Sequence, residues 1–268
     1  MYNNLLTLGP VTIHGYGLMI AIGIIAAFTV SSRRAKKVGL DDEAIWTMGL
    51  IAVIFGFVGA KLLYYLTILP DIIKDPSILK NFSGGLVIYG GIIGGLLSAW
   101  IYCRRKKYSF LSYADVVLPT VALAQGFGRI GCFLAGCCYG KVTDGPLYIV
   151  FTNSDYAPNG VHLIPTQLIS SALDFLNFAV LSVIFRKQRE KTGVTTVCYL
   201  LFYCTGRFII EFFRGDLARG SVGVLSTSQF ISILVAAFAV VILLMIGRKP
   251  KTAAETEETE SAAQDTDK

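Results

Sequence analysis

Long apolar blocks separated by short polar links constrain the fold of this chain more than any other feature. Seven blocks approach or exceed the length that a membrane-spanning helix needs, about 17–25 residues; they cover 13–32, 44–69, 85–103, 113–135, 165–185, 194–213 and 226–247. Only 16% of the residues are charged, against about 25% in a typical soluble domain. The sequence therefore predicts an all-α integral membrane protein with seven transmembrane helices.

The basic residues alternate between the links and predict how the helices are oriented. Fifteen Lys and Arg residues follow the odd-numbered blocks, and five lie in the links after the even-numbered blocks. Because cytoplasmic links carry the excess of positive charge, we expect the N-terminus outside and the C-terminus in the cytoplasm. This charge faces an anionic membrane surface, so it requires no nucleic-acid partner.

The last residues of the chain differ from the rest in composition. Residues 252–268 contain six acidic residues and no apolar block. Such a composition is typical of disorder. The sequence thus predicts a membrane domain over residues 1–251 and a disordered acidic cytoplasmic tail over residues 252–268.

Two arginines, Arg129 and Arg207, lie within predicted membrane spans. A charged side chain at bilayer depth costs about 2.5–3.5 kcal/mol on insertion scales, so such residues usually face the protein interior and mark a functional site. The planar guanidinium group matches a pair of phosphate oxygens. In a membrane the abundant phosphates belong to lipids, and the two arginines therefore indicate a lipid-handling site.

Other rare polar residues of the spans fall at the same predicted depth. With a rise of about 1.5 Å per residue, six side chains lie within roughly 10–12 Å of the outer boundary; they are Tyr16, Lys61, Tyr89, Arg129, Arg207 and Glu211. Because they come from five different spans, we expect them to form one site that faces the outer leaflet.

The sixth span carries the clearest pattern of polar residues. Tyr203, Arg207, Glu211 and Arg214 follow one another at intervals of four, four and three residues, which places them on one helix face. An ion pair between Arg207 and Glu211 that only holds the bundle together is the structural alternative. One glutamate does not neutralise Arg129, Arg207 and Lys61, however, whereas an anionic ligand does.

The end of the fourth span combines glycines, an arginine and cysteines. Its glycines permit close helix packing or close approach to a ligand, and the embedded Arg129 favours the ligand. Cys132, Cys137 and Cys138 lack the histidines and the paired spacing of a zinc site. We expect them to be packing residues or unpaired thiols, with an external disulfide as the weaker alternative, and we predict no metal and no cofactor. The long link 137–163 is predicted to cap the site.

Short motifs in these spans carry a resemblance to a known family. They lie at 14–19, 59–62, 84–91, 125–131, 165–168 and 206–214 and include Gln-Gly-Phe-Gly-Arg-Ile-Gly around Arg129 and Gly-Arg-Phe-Ile-Ile-Glu-Phe-Phe-Arg around Arg207. In this order, over residues 13 to about 215, the chain resembles the bacterial prolipoprotein diacylglyceryl transferase family.

The resemblance implies an enzyme of the bacterial plasma membrane. The family transfers the diacylglyceryl group of phosphatidylglycerol to the thiol of the lipobox cysteine in a preprolipoprotein. By this resemblance Arg129 and Arg207 hold the lipid phosphate, and Tyr16, Tyr203, Glu211 and Gly140 match positions that are important in the family. We predict the catalytic residues Arg129, Arg207, Tyr89 and Glu211, with Tyr89 or Glu211 relaying the proton of the thiol. The residues predicted to bind phosphatidylglycerol are Arg129, Arg207, Tyr16, Tyr203, Lys61 and Gly140. We expect the lipid and the signal peptide of the preprolipoprotein as partners, and a monomer.

Several positions differ from residues common in the family and leave the general base open. Tyr89 stands where histidine is common, Cys132 where asparagine is common, and Lys61 where arginine is usual. Ile169 and Ser170 stand where an aromatic residue and a glutamate are common. Two alternatives follow: a non-catalytic transporter or scramblase for anionic lipid, and a diverged paralogue. A transporter would carry intramembrane charges in both halves of the bilayer, whereas the charges identified above all lie in the outer half.

Overall fold

The computed structural model describes residues 4–8, 11–80, 85–189, 191–216 and 220–247, so the predicted acidic tail lies outside the described residues. Within this part of the chain, six helices are long and apolar enough to cross a membrane. They are α1 (Gly15–Lys37), α2 (Glu43–Thr67), α5 (Phe110–Ala135), α6 (Thr166–Lys187), α7 (Val194–Glu211) and α8 (Thr227–Gly247). The predicted all-helical membrane architecture is confirmed at this level.

The remaining predicted span forms helix α4, Ile88–Lys106. This helix does not meet the same test of length and composition, because four of its 19 residues are glycine and its last three are basic. A shorter helix, α3 (Leu69–Lys74), and a 3₁₀ helix at Pro76–Lys80 precede it. The sequence did not predict these two elements, which occupy the link between blocks two and three.

The first predicted span begins later and ends later than the sequence indicated. Residues 13 and 14 belong to a hairpin of β1 (Asn4–Leu8) and β2 (Val11–His14), and α1 continues to Lys37 through the basic cluster. Hydropathy marks the bilayer core, whereas the backbone hydrogen bonds of a helix continue into the polar region. The basic residues in the last turn of α1 also interact favourably with the negative end of the helix dipole.

Glycines allow α2 and α4 to pack with their backbones in contact. A Cβ atom added at Gly59 would collide with the carbonyl oxygen of Gly90, and a Cβ atom at Gly90 would collide with the carbonyl of Gly59. Gly94 likewise lies against the carbonyl of Phe55. Small residues at a helix interface permit this approach in membrane proteins. The glycines beside Tyr89 therefore have a packing role.

Helices α1, α6 and α7 pack against α5, and α8 packs on α7. At the start of α5, the buried Asp115 accepts hydrogen bonds from the backbone N–H groups of Gly193 and Thr196 and from the Thr196 hydroxyl. It thus caps the start of α7, whose first N–H groups have no partners within the helix. Asp115 is thus a further ionisable residue within a predicted span, and it lies at the opposite end of α5 from Arg129.

The link between α5 and α6 folds back over the ends of these helices. Short strands β3 (Ile149–Val150) and β4 (His162–Leu163) pair in it, and Phe151 and Leu163 form its buried core. A second pair, β5 (Ser221–Val222) and β6 (Leu225–Ser226), precedes α8. The ends of α5 and α7, which carry the two arginines, are therefore joined to structured links.

Candidate active site

Arg129 lies in the last two turns of α5 and is half-buried. Its charge interacts with the side chains of Tyr203, Cys132 and Asp174. No carboxylate of the described residues lies within ion-pair distance of its guanidinium group. A cation at this depth without a paired carboxylate leaves its charge available to an anionic ligand.

Arg207 lies near the end of α7, about two turns before Gly215. Two neighbouring side chains fix its orientation. Its Nη1 atom lies 2.8 Å from Glu211 Oε2, and both side chains are about one-tenth exposed. Its Nη2 atom donates a hydrogen bond of 2.8 Å to Ser228 on α8. Nη1 and Oε2 do not meet at a hydrogen-bonding angle, so neither has a hydrogen-bond partner among the described residues. The ion pair considered as the structural alternative is present. The N–H groups of Nη1 remain able to donate a hydrogen bond to a ligand.

A cavity of about 250 Å³ lies between α6 and α7 and contains both arginines. Its charged lining residues are Arg129, Asp174 and Arg207, and most of its other lining residues are apolar. The lining residues are Arg129, Ser170, Leu173, Asp174, Leu176, Asn177, Val180, Phe202, Tyr203, Gly206, Arg207 and Ile210. A cationic pocket with an apolar wall suits a ligand with a charged group and a hydrocarbon part.

Asp174 faces this cavity from α6 and is not among the residues predicted from the sequence. Ser170, Asp174 and Asn177 follow at intervals of four and three residues and so share one face of the helix. Asn177 Oδ1 is buried and has no hydrogen-bond donor among the described residues. The signal that would have found Asp174 is the same one that identified the arginines, an ionisable residue within a predicted span.

Tyr203 is the other predicted residue that lines the cavity; Tyr16, Lys61, Tyr89 and Glu211 do not. The ring of Tyr16 packs on Gly131 of α5, near Arg129, and the side chain is 42% exposed. Lys61 lies over the rings of two tyrosines of its own helix, each at 5.0 Å. Tyr89 is the second residue of α4 and is half-buried. The roles predicted for these residues stay predictions.

Gly140 is buried where the α5–α6 link meets the end of α7. It forms a backbone bridge with Arg214, and a Cβ atom at this position would collide with the carbonyl oxygen of Ile164. The guanidinium group of Arg214 donates two hydrogen bonds to Asp216, at 2.9 and 2.6 Å. Burial alone would lower the pKa of Arg214, but these bonds and the nearby Cys138 hold it above its usual range. The collision with Ile164 means that only glycine fits at position 140 without a shift of the backbone.

Cys132, Cys137 and Cys138 come together at the end of α5. Their sulfur atoms all lie within 4.8 Å of one another, and no disulfide joins any of the chain's cysteines, all of which are described. The helix ends at Ala135, and Gly136, with φ of 77°, reverses the chain so that Cys137 returns to Cys132. Hydrogen bonds from the other two thiols, followed by the charge of Arg214, lower the pKa of Cys138.

Comparison with known proteins gives the family of this chain. The family model for prolipoprotein diacylglyceryl transferase matches residues 3–245. A phosphatidylglycerol–prolipoprotein diacylglyceryl transferase of Clostridium tetani is 50% identical over 82% of this chain and 88% of its own length. A second such enzyme, from Clostridium perfringens, is 45% identical over 83% and 87%. One from Clostridioides difficile is 33% identical over 91% and 95%. The chain belongs to the prolipoprotein diacylglyceryl transferase family.

Proposed function

We propose that this chain transfers the diacylglyceryl group of phosphatidylglycerol to the lipobox cysteine of preprolipoproteins, the first step of bacterial lipoprotein maturation. The observation that carries the proposal is the convergence of Arg129 and Arg207 on one cavity with an apolar wall. The close relatives are named as enzymes of this activity. The charged end of the cavity binds the lipid phosphate, and its apolar wall contacts the hydrocarbon part of the lipid.

The two arginines have hydrogen-bonding capacity that a phosphate fills. Arg207 Nη1 is buried and lies 2.8 Å from Glu211 Oε2 without a hydrogen bond of favourable angle. Arg129 faces the same cavity without a paired carboxylate. Phosphate oxygens form charge-assisted hydrogen bonds with both side chains.

The reaction forms one bond and breaks one bond. The lipobox sulfur bonds to the terminal glycerol carbon of the diacylglyceryl group, and the bond from that carbon to the phosphate oxygen breaks. Glycerol phosphate leaves with the electron pair, and the product is a thioether. Because negative charge grows on the leaving phosphate, Arg129 and Arg207 stabilise the transition state as fixed cations in a site of low dielectric constant.

The thiol must also lose its proton, because the thiolate is the nucleophile. The sequence analysis named Tyr89 and Glu211 for this role. Glu211 is held against Arg207, and Tyr89 is not part of the cavity lining. Asp174 lines the cavity and has no ion-pair partner among the described residues. We therefore propose that Asp174 accepts the proton of the lipobox thiol and that Glu211 orients Arg207.

The arrangement in the membrane belongs to the same proposal. All seven helices cross the bacterial plasma membrane, with α4 as the third span, the N-terminus outside and the C-terminus in the cytoplasm. The distribution of basic residues supports this orientation. The cavity then opens at the outer leaflet, where the lipobox cysteine emerges, and the link 137–163 caps it. The chain acts as a monomer.

The test is transfer by the purified chain in vesicles that contain phosphatidylglycerol and a lipobox peptide. We expect the wild-type chain to add a diacylglyceryl mass to the peptide thiol. Arg129→Ala and Arg207→Ala should each lower the rate at least a hundredfold. Arg105→Ala, which removes an exposed arginine at the end of α4, is the matched control and should keep the wild-type rate.

Three results would reject the proposal. Full activity of both arginine variants would remove the assigned role of the cavity. Movement of lipid between leaflets without any thioether product would identify the chain as a transporter or scramblase. Binding of phosphatidylglycerol without product or lipid movement would identify a paralogue that has lost the chemistry.

A further inference from the structure

The three thiols at the end of α5 form a compact group that the transfer chemistry above does not use. The sulfur atoms of Cys132, Cys137 and Cys138 all lie within 4.8 Å of one another. Zn²⁺ binds cysteine sulfur at about 2.3 Å in a tetrahedron, which places the sulfurs about 3.8 Å apart. Shifts of at most about 1 Å therefore convert this group into a set of metal ligands.

The backbone that carries the thiols is fixed by hydrogen bonds from α6. Gln167 donates to the carbonyl oxygen of Cys137, and Thr166 donates to that of Cys138, both at 2.9 Å. The Cys137 N–H group donates to the Cys132 carbonyl at 3.1 Å. The group is thus prearranged, which lowers the entropy cost of binding an ion.

The backbone at Cys138 gives a second indication that its position is constrained. Cys138 has φ of 61°, a left-handed conformation that is unfavourable for a residue with a side chain. Such a conformation is strained and persists where the surrounding structure requires it. Here it accompanies the return of the Cys138 sulfur to the other two thiols.

The charges around the group suit a metal held by three thiolates. Three thiolates and Zn²⁺ together carry one negative charge, and Arg214 hydrogen-bonds the Cys138 side chain while Arg129 lies on the same helix as Cys132. Thiolate ligands select soft cations of the zinc type over magnesium or calcium. The other three cysteines do not form such a group.

We propose that Cys132, Cys137 and Cys138 form a three-thiolate site for a soft divalent cation, Zn²⁺, that ties the end of α5 to the segment beside Arg214. Three protein ligands leave the fourth tetrahedral position to water or another small ligand. No oxidation or reduction takes place, since each thiol loses only its proton on binding. The sequence alone predicts no metal here, because the spacing of the three cysteines along the chain is not that of a known zinc motif.

The first test uses the unaltered protein, so that no variant has to fold. Purified wild-type chain is labelled with a maleimide, with and without equimolar Zn²⁺, and each cysteine is followed by peptide mass analysis. We expect zinc to slow the labelling of Cys132, Cys137 and Cys138 at least tenfold. Labelling of Cys103, Cys198 and Cys204 should not change. Equal labelling of all six with and without zinc, or a disulfide within the group, would overturn the proposal.

The second test counts the ligands with Cd²⁺, whose charge-transfer absorption increases with the number of bound thiolates. The wild-type chain should bind one ion with the intensity of three thiolates. Cys137→Ser should weaken binding at least tenfold and lower the intensity by a third. Cys198→Ser, a half-buried cysteine within α7, is the matched control and should bind as the wild type does. Equal loss in both variants, or no band in the wild type, would reject the site.

Discussion

Replacement of Glu211 by glutamine separates the two roles that have been considered for this residue. The change keeps the shape of the side chain and removes the charge that lies 2.8 Å from Arg207. Because both partners are about one-tenth exposed, loss of the ion pair should cost about 3 kcal/mol, the lower part of the range for buried pairs. Arg207 keeps its hydrogen bond to Ser228, so the cavity retains its cation.

In Glu211→Gln the guanidinium group of Arg207 is held less firmly, and this should change the kinetics of transfer. We expect kcat to fall about tenfold, equivalent to about 1.4 kcal/mol of transition-state stabilisation, because the guanidinium group is less well oriented. The KM for phosphatidylglycerol should stay the same or fall, since the site gains net positive charge. The assay is steady-state transfer to a lipobox peptide in vesicles, with unfolding in detergent measured in parallel.

Asp71→Asn removes an exposed negative charge on α3 and serves as the matched control, with no expected change in either measurement. A different pattern would refute the reasoning. If Glu211→Gln raised KM and left kcat unchanged, Glu211 would contact the lipid. If the variant lost the acidic limb of the pH–rate profile while Asp174→Asn kept it, Glu211 would be the proton acceptor.

Three further predictions concern the packing of α2 against α4, the cap at the start of α7 and the ionisation of Tyr108. Gly59→Ala should reduce the amount of folded protein because its Cβ atom collides with a carbonyl of α4, whereas Gly128→Ala, with open space at its Cβ position, should be tolerated; heating in detergent followed by size-exclusion chromatography measures both. Asp115→Asn should destabilise the chain by about 2–3 kcal/mol, because it weakens the charged cap of α7, without changing the rate per folded molecule. Tyr108 should ionise at about pH 12 rather than near 10, because its hydroxyl donates a 2.7 Å hydrogen bond to Asp41; ultraviolet titration against Tyr108→Phe measures this, and Asp41→Asn should return the pKa toward 10.

The same hydrogen bond gives opposite pH limits for its two partners. The pKa of Asp41 is lowered by the bond from Tyr108, so the stabilisation is present above the ordinary carboxyl pKa and is lost as the pH falls through the lowered value. The pKa of Tyr108 is raised to about 12, so the stabilisation is present below about 10 and is lost as the pH rises through about 12. Between these limits, pH should not affect this contact.

The sequence predicted the membrane helices well because length and hydropathy are properties of each segment alone. The predicted block at 226–247 agrees with α8, Thr227–Gly247, within one residue. The largest difference is at α1, which continues for five residues beyond the predicted block, to Lys37. Helix ends depend on capping and on the polar region of the membrane, which an apolar block does not record.

The site was predicted in part for a similar reason. The four-residue spacing of Tyr203, Arg207 and Glu211 placed them on one face, and the ion pair between the last two is present. Asp174 comes to the same cavity only through the packing of α6 beside α7. The approach of Cys132 to Cys138 depends on a chain reversal after α5. Contacts between helices and through turns are not contained in the spacing along one segment.

The central claim is that Arg129 and Arg207 enable transfer of a diacylglyceryl group to a lipobox cysteine. The most direct measurement produces the chain in a bacterium depleted of its own transferase and determines the mass of a lipoprotein's N-terminal peptide. The account predicts that the wild-type chain adds the thioether-linked diacylglyceryl mass and that a variant with both arginines changed to alanine leaves the cysteine unmodified. An unmodified cysteine with the wild-type chain, or full modification by the double variant at equal protein levels, would contradict it.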